Sequence, residues 1–204
     1  MIIVPEAACP GLLSLDDAFE PVEQVFAAMA RGDAVNFPVV REALGAPEEA
    51  LYGFKGGFDR AGATLGVKAG GYWPHNLERR NIINHQSTVF LFDPDTGRVS
   101  ALVGGNYLTA ARTAASAAVS IKHLARKDAK VLGMVGAGHQ SAFQMRAAAR
   151  LHAEGLAGAV EAALEAVERV GVADGLADHG EVHGVAPRHG GEDLLDRLEG
   201  VVEG

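Results

Sequence analysis

The chain is poor in cysteine, in aromatic residues and in cationic charge. Its single cysteine, Cys9, cannot close an intrachain disulfide, which excludes a disulfide-stapled scaffold and fits a reducing cytoplasm. Only 18 lysines and arginines stand against 26 acidic residues, a formal net charge of −8. Nucleic acid and anionic membrane surfaces demand clustered cations, so neither is expected as a partner. No apolar run approaches the roughly 18 residues that a membrane helix needs. The nearest candidate, "TAASAAVSI", is short and rich in Ala and Ser. The opening "MIIVPEAACP" lacks a basic n-region and has a very short apolar stretch, a poor signal peptide. What remains, 48% apolar and 22% charged over 204 residues, describes a globular protein expected in the cytoplasm.

Residues 12–145 carry clear local signals. Ser14 followed by Asp17 resembles a capping box with a shortened acid. Phe19, Val22, Val25, Phe26 and Met29 follow at helical spacing, which predicts an amphipathic helix of about 18 residues ending at Gly32. "NFPVV" reads as a short strand leading to Arg41, and residues 51–74, rich in glycine and aromatics, as tightly turning strands. "STVFLF", "DPDTGR" and "VSALV" form a hairpin pattern. The Ala-rich stretch over 108–129 predicts one long helix, and "AKVLGMV" a strand buried on both faces of a parallel sheet.

Another absence begins at Arg146. From there to Gly204 only nine residue types occur: Leu, His, Ala, Glu, Gly, Val, Arg, Asp and Pro. Ser and Lys, among the commonest residues of globular domains, are missing. Each of the nine types has codons beginning with G or C, the alphabet expected from a slipped reading frame in a GC-rich gene. A frame-shifted tail is one reading, and a low-complexity helical extension, supported by "AVEAALEAVERV", is the other.

The residues that suggest chemistry lie before that break. Gly136-Ala137-Gly138, with Ser141 in the third glycine's place, gives G-x-G-x-x-S between a predicted strand and a helix start. Such a turn lets backbone approach a pyrophosphate, and the helix N-terminus adds unpaired N–H groups; a β–α turn without ligand is the alternative. No Gly-Lys-Ser/Thr follows, which sets aside a P-loop. An acidic residue is wanted about 20 positions on, but Glu154 and Glu161 follow no apolar strand and neither is assigned.

Lys68 follows an apolar strand in "TLGVKAGGYWPHN"; a lysine of lowered pKa there could shuttle a proton, while a solvated strand-end lysine competes as a reading. Arg112 sits among alanines in "LTAARTAAS", where a cation wants an anion, and Arg41 offers a second carboxylate clamp or a solvated strand end. His179 and His183 share an i, i+4 spacing without a third ligand, and His75, His85 and His123 show no metal spacing. No metal is expected. Cys9, near a terminus expected to be mobile, has no obvious histidine partner as a nucleophile.

With these pieces in order, residues 12 to about 150 resemble the ornithine cyclodeaminase/mu-crystallin family. The matching stretches are "DDAFEPVEQVFAAMARGDA", "FPVVRE", "LGVKAGGYWPHN" and the run from "HQSTVFLF" through "LTAARTAA" to "GAGHQSAFQ". The resemblance implies an NAD(P)-dependent enzyme acting on the Cα–N bond of a small amino or imino acid, as ornithine cyclodeaminases, alanine dehydrogenases and ketimine reductases do. The fold it implies is α/β, an N-terminal α+β substrate and dimerisation segment (1–125) followed by a partial Rossmann-type dinucleotide-binding unit (126–204) with an atypical tail (146–204). Homodimers are implied, and the cofactor is NAD or NADP. By the resemblance, Arg41, Lys68 and Arg112 hold the substrate's carboxylate and the substituents of the reacting carbon, with Arg112 also near the cofactor. Ser87 or Thr88 would contact the dinucleotide with Gly136, Gly138, His139 and Gln140. Family members continue through further Rossmann strands that carry a catalytic aspartate. Nothing after Arg150 matches that pattern, and Asp174, Asp178, Asp193 and Asp196 receive no role. A chain truncated in effect and impaired in hydride transfer is the resulting expectation, with a non-catalytic dimerising, dinucleotide-binding chain as the alternative.

Overall fold

The computed structural model describes residues 1–45, 49–136 and 138–151. The capping pattern forms: Ser14 N donates to Asp17 Oδ2 at 2.8 Å, and Asp17 N donates to Ser14 Oγ at 3.2 Å. A helical turn then leads into the amphipathic helix, which ends at Gly32 in the left-handed conformation (φ 81°). In chain order the elements are β1 (Ile2–Val4), α1 (Cys9–Leu12), α2 (Phe19–Arg31), β2 (Ala34–Asn36), β3 (Val40–Ala43), β4 (Leu51–Asp59) and β5 (Thr64–Tyr72). There follow α3 (Asn76–Arg80), β6 (His85–Phe92), β7 (Val99–Gly104), α4 (Asn106–Leu124) and α5 (His139–Leu151).

The strands make one seven-stranded sheet in the order β1-β7-β6-β5-β4-β2, with β3 also paired to β4. All ladders are antiparallel except β1 with β7. The expected hairpin is β6–β7, and the expected strand before Arg41 is split into β2 and β3, which follow one another along the edge of β4. Strand alternation gives the sheet two unlike faces. Directly opposed residues share a face, so Arg41, Lys55, Lys68, His85 and Ser87 fall on one side, and Val35, Val40, Phe54, Phe58, Val67 and Phe90 on the other.

The Ala-rich helix is shorter than the expected 108–129 stretch, because the chain turns extended at Ala125. Ala110, Ala111, Ala114 and Ala115 of α4 are completely buried. Ala111 and Ala115 pack against Ala18 with Phe19 and Val22 beside them, while Ala114 and Ala118 meet Ala147 of α5. Alanine here is a steric requirement, since longer side chains would force the three helices apart. The start of α4 is capped from far away in sequence: Asn106 N and Tyr107 N donate to the two carboxylate oxygens of Glu6, at 2.9 and 2.6 Å. An acid there satisfies orphan N–H groups and complements the helix dipole.

Two expectations need correction. Residues 131–136 form no strand, and Val131 and Val135 stand fully in solvent. A parallel strand buried on both faces requires neighbouring strands, and no described residue lies beside this run in a ladder. Cys9 is not at a loose end. It is buried where β1 ties the N-terminus to β7, and its thiol donates to the carbonyls of Pro5 and Gly104, both at 3.6 Å. No helix among the described residues is long and apolar enough to cross a membrane.

Glu6→Ala is expected to lower unfolding free energy by about 1–2 kcal/mol in urea melts, the cost of a lost cap on a part-buried helix start. A change of only about 0.3 kcal/mol or less would show that solvent replaces the carboxylate without penalty.

Candidate active site

Lys68 lies at the middle of β5, directly opposite Lys55 of β4 on one side and Val89 of β6 on the other. Its half-buried ammonium donates to Thr109 Oγ1 at 3.0 Å and sits 3.3 Å from His85 Nε2. Thr109 passes its own proton to the Gly105 carbonyl at 2.6 Å, so its hydroxyl oxygen is left to accept from the lysine. Burial, the Arg112 guanidinium and Lys55 together push the Lys68 pKa down to about 8. His85 is pushed down to about 4 by burial and by Lys68, with smaller effects of His139 and Arg112 in the same direction. The imidazole is therefore neutral near pH 7, and its Nε2 accepts from the lysine in the Nδ1–H tautomer.

Arg112 lies three residues along α4 from Thr109, on the helix that contributes the lysine's hydroxyl partner. It is exposed on its outer side, yet the surrounding protein removes enough water to lower its pKa. Lys55 was not expected from the sequence, although it sits between glycines in "GFKGGF" much as Lys68 does in "GVKAGG". Its pKa is lowered by burial, then by repulsion from Arg112 and from Arg41. Arg41 reaches the same face from β3, opposite Gly53. The structure thus brings Arg41, Lys68 and Arg112 together and adds Lys55. Among the described residues, no acidic side chain forms an ion pair with any of the four. Arg41, Lys55 and Arg112 are exposed, so the cations line an open shelf, and a hollow of about 530 Å³ is lined instead by Trp73, Asn76, Arg80 and Gln86.

A close glycine approach keeps the shelf flat beside Lys68. A Cβ on Gly70 would lie 2.4 Å from Ser87 Cβ and 2.5 Å from Gln86 O. Ser87 shares the Lys68 face, and its N–H donates to Asn106 Oδ1 at 2.8 Å. Thr88 points to the opposite face and is exposed, so the structure does not bring it to the cations.

The glycine turn reaches the site through α5. Gly136 has φ 95°, a conformation open to glycine and strained for other residues, and open space adjoins both Gly136 and Gly138. His139 begins α5 and packs its ring 5.3 Å from Phe143, which meets Tyr107 of α4 at 5.8 Å. The side-chain Oε1 of Gln140 is buried and has no hydrogen-bond partner among the described residues. His123 pairs with Glu23 at 2.6 Å, and His75 with Glu78 at 3.6 Å. Glu154, Glu161, His179, His183 and the four tail aspartates lie outside the described residues.

Fold and site define a class first: an α/β chain with an unneutralised cationic shelf beside a glycine turn that opens a helix. The chain belongs to the ornithine cyclodeaminase/mu-crystallin family, whose sequence pattern matches residues 5–156. It is 70% identical over 152 residues to the iminosuccinate reductase of Paracoccus denitrificans, covering 74% of this chain and 47% of that one. The solved structure of that reductase in complex with NAD+ superposes with a TM-score of 0.70. A Thermococcus litoralis Δ1-pyrroline-2-carboxylate reductase, in complex with NADH and L-proline, superposes with 0.70 at 28% identity, covering 74% of this chain and 46% of that one. An archaeal alanine dehydrogenase dimer with bound NAD gives 0.68 at 28% identity, covering 74% and 45%. The chain therefore spans about half the length of the relatives it matches.

In an NMR titration of the lysine side chains, Lys68 is expected to titrate near 8 rather than at the ordinary 10.5. Arg112→Met and Lys55→Met each remove a like charge and should move the midpoint upward. A wild-type midpoint at the ordinary value would refute the clustered arrangement.

Proposed function

We propose that this chain is built on the substrate half of an NAD(P)-dependent oxidoreductase that acts on the Cα–N bond of a small amino or imino acid. The observation that carries this reading is the shelf of four cations, one of them a lysine held near pKa 8, with which no acid forms an ion pair among the described residues. Arg41 and Arg112 clamp the substrate carboxylate, for which a planar guanidinium is well shaped. Thr109 and His85 fix the Lys68 ammonium, leaving a third N–H to face the substrate. Near neutral pH most of Lys68 is protonated, so it can hold a proton against the substrate nitrogen or carbonyl oxygen, and above about 8 it can take one.

The residues at the glycine turn fit a dinucleotide. Gly136 holds the required positive φ, space is open at Gly138, and the buried Gln140 Oε1 lacks a donor that a ribose hydroxyl would supply. Gly136, Gly138, His139 and Gln140, with Ser87, would hold the cofactor, and Arg112 would reach it from the shelf. When bound, the nicotinamide supplies or accepts hydride. The relatives with NAD+, NADH and NAD support this assignment.

A second reading is favoured by the compositional break at residue 146, close to where the family pattern ends at residue 156. On it the chain binds dinucleotide and dimerises without turnover. The domain division at 125 belongs to both readings, although α4 and α5 pack together across it. Dimerisation has a natural surface in the apolar sheet face, where Ile3 is 63%, Val40 50% and Phe54 45% exposed. A second copy suits it, since the alanine dehydrogenase relative is a dimer and a largely apolar face, with Glu42 at its β3 edge, pairs best with its own kind.

The test is a fluorescence titration of the purified chain with NADH, followed by NADH oxidation in the presence of ammonium and a 2-oxo acid. Binding with turnover that falls roughly a hundredfold in Lys68→Met supports the enzyme reading. Binding without turnover supports the second reading, and no binding of either NADH or NADPH overturns both. Phe54→Lys should convert a dimer to a monomer in sedimentation; an unchanged sedimentation coefficient would rule out this face.

A further inference from the structure

Two of the four cations suffice for a single carboxylate, and Lys68 is already engaged with Thr109 and His85. Lys55 is left over. It stands at the register position opposite Lys68, on the same face, between Arg41 on the β3 side and the α4 side of the shelf. No acid pairs with it among the described residues, and it is exposed. A lysine kept among three other cations raises the energy of the empty shelf by like-charge repulsion. Such an arrangement is relieved by a ligand carrying more than one negative charge.

We infer that Lys55 is the specificity-determining residue of this site and that it binds the second carboxylate of a dicarboxylic amino or imino acid. The inference rests on the proposed function, because it presumes that Arg41 and Arg112 hold the first carboxylate. The geometry suits a short diacid. The two lysines are neighbours across adjacent strands, where paired residues lie about 5 Å apart at Cβ, so the distal carboxylate sits within a few bonds of the reacting carbon. Among the relatives, iminosuccinate carries two carboxylates, whereas proline and alanine carry one. Lys55 separates these cases by charge. A monocarboxylic substrate leaves its ammonium without a partner, while a diacid neutralises it.

The experiment uses the full chain at pH 7 and two unreactive probes, succinate and propionate, titrated by calorimetry. Wild type should bind succinate about tenfold more tightly than propionate, the scale of one added charge-assisted contact at a partly exposed site. Lys55→Met should abolish that preference while propionate affinity stays within about twofold, a result that also reports an intact fold. Lys55→Arg should restore most of the preference. Equal binding of the two probes by wild type, or a preference that survives Lys55→Met, overturns the role of Lys55 and leaves the carboxylate clamp standing. Failure of wild type to bind either probe overturns the clamp itself, and the inference with it.

Discussion

The alanine surface of α4 is the constraint on which the other arrangements rest. Because Ala110, Ala111, Ala114 and Ala115 bury completely, α2 and α5 can approach the same helix from two directions. That approach fixes how α4 rotates, and so fixes which side of it meets the sheet. Thr109 lands against Lys68, with Arg112 one turn further along. Glu6 holds the start of the helix at the level of β7 by taking two of its N–H groups. A bulky residue at any of the four alanines would alter the helix spacing and with it the position of the cations.

The shelf pays a standing electrostatic cost. Four cations share one face without an acid among the described residues, and two of them sit near enough to Arg112 for their pKa values to fall. Burial adds to this, so Lys68 reaches about 8 and His85 remains neutral. Had His85 kept an ordinary pKa, its protonation in mild acid would add a fifth charge beside the lysine. Its depressed value makes it an acceptor throughout the neutral range, and it orients Lys68 without repelling it. This is how pKa tuning and geometry reinforce one another here: the same neighbours that lower the lysine's basicity also hold its position.

Much of the local structure is legible from residues alone, for reasons that differ by element. Ser14 and Asp17 announce a helix start by reciprocal hydrogen bonding that needs no tertiary partner. The β6–β7 hairpin is visible because its turn chemistry and its alternation agree. Lys55 is missed because nothing local distinguishes it from a surface lysine; only strand register sets it opposite Lys68. Register also separates Ser87 from Thr88, which adjoin in sequence and point to opposite faces. The expected strand over 131–136 fails for the converse reason. Its apolar composition states what it would do among neighbouring strands, and composition cannot state that neighbours are present.

These differences divide the site unequally between the two ends of the described chain. Arg41, Lys55, Lys68, His85 and Thr109 are held by β-ladders and by α4, all within residues 1–124, so the cationic shelf is complete in its supports. The glycine turn is held on one side only, by α5 packing on α4 through Ala147 and by the contacts of His139, Phe143 and Tyr107. Its other side, where Val131 and Val135 face solvent, has no ladder among the described residues. On the proposed function, affinity for a small acid would depend on parts whose positions are over-determined, and affinity for a dinucleotide on a turn anchored by one helix. A larger side chain in place of Ala147 should then cost more NADH affinity than succinate affinity in calorimetry, because α5 is the one described anchor of the glycine turn, whereas Arg41, Lys55 and Lys68 are also held by strand ladders.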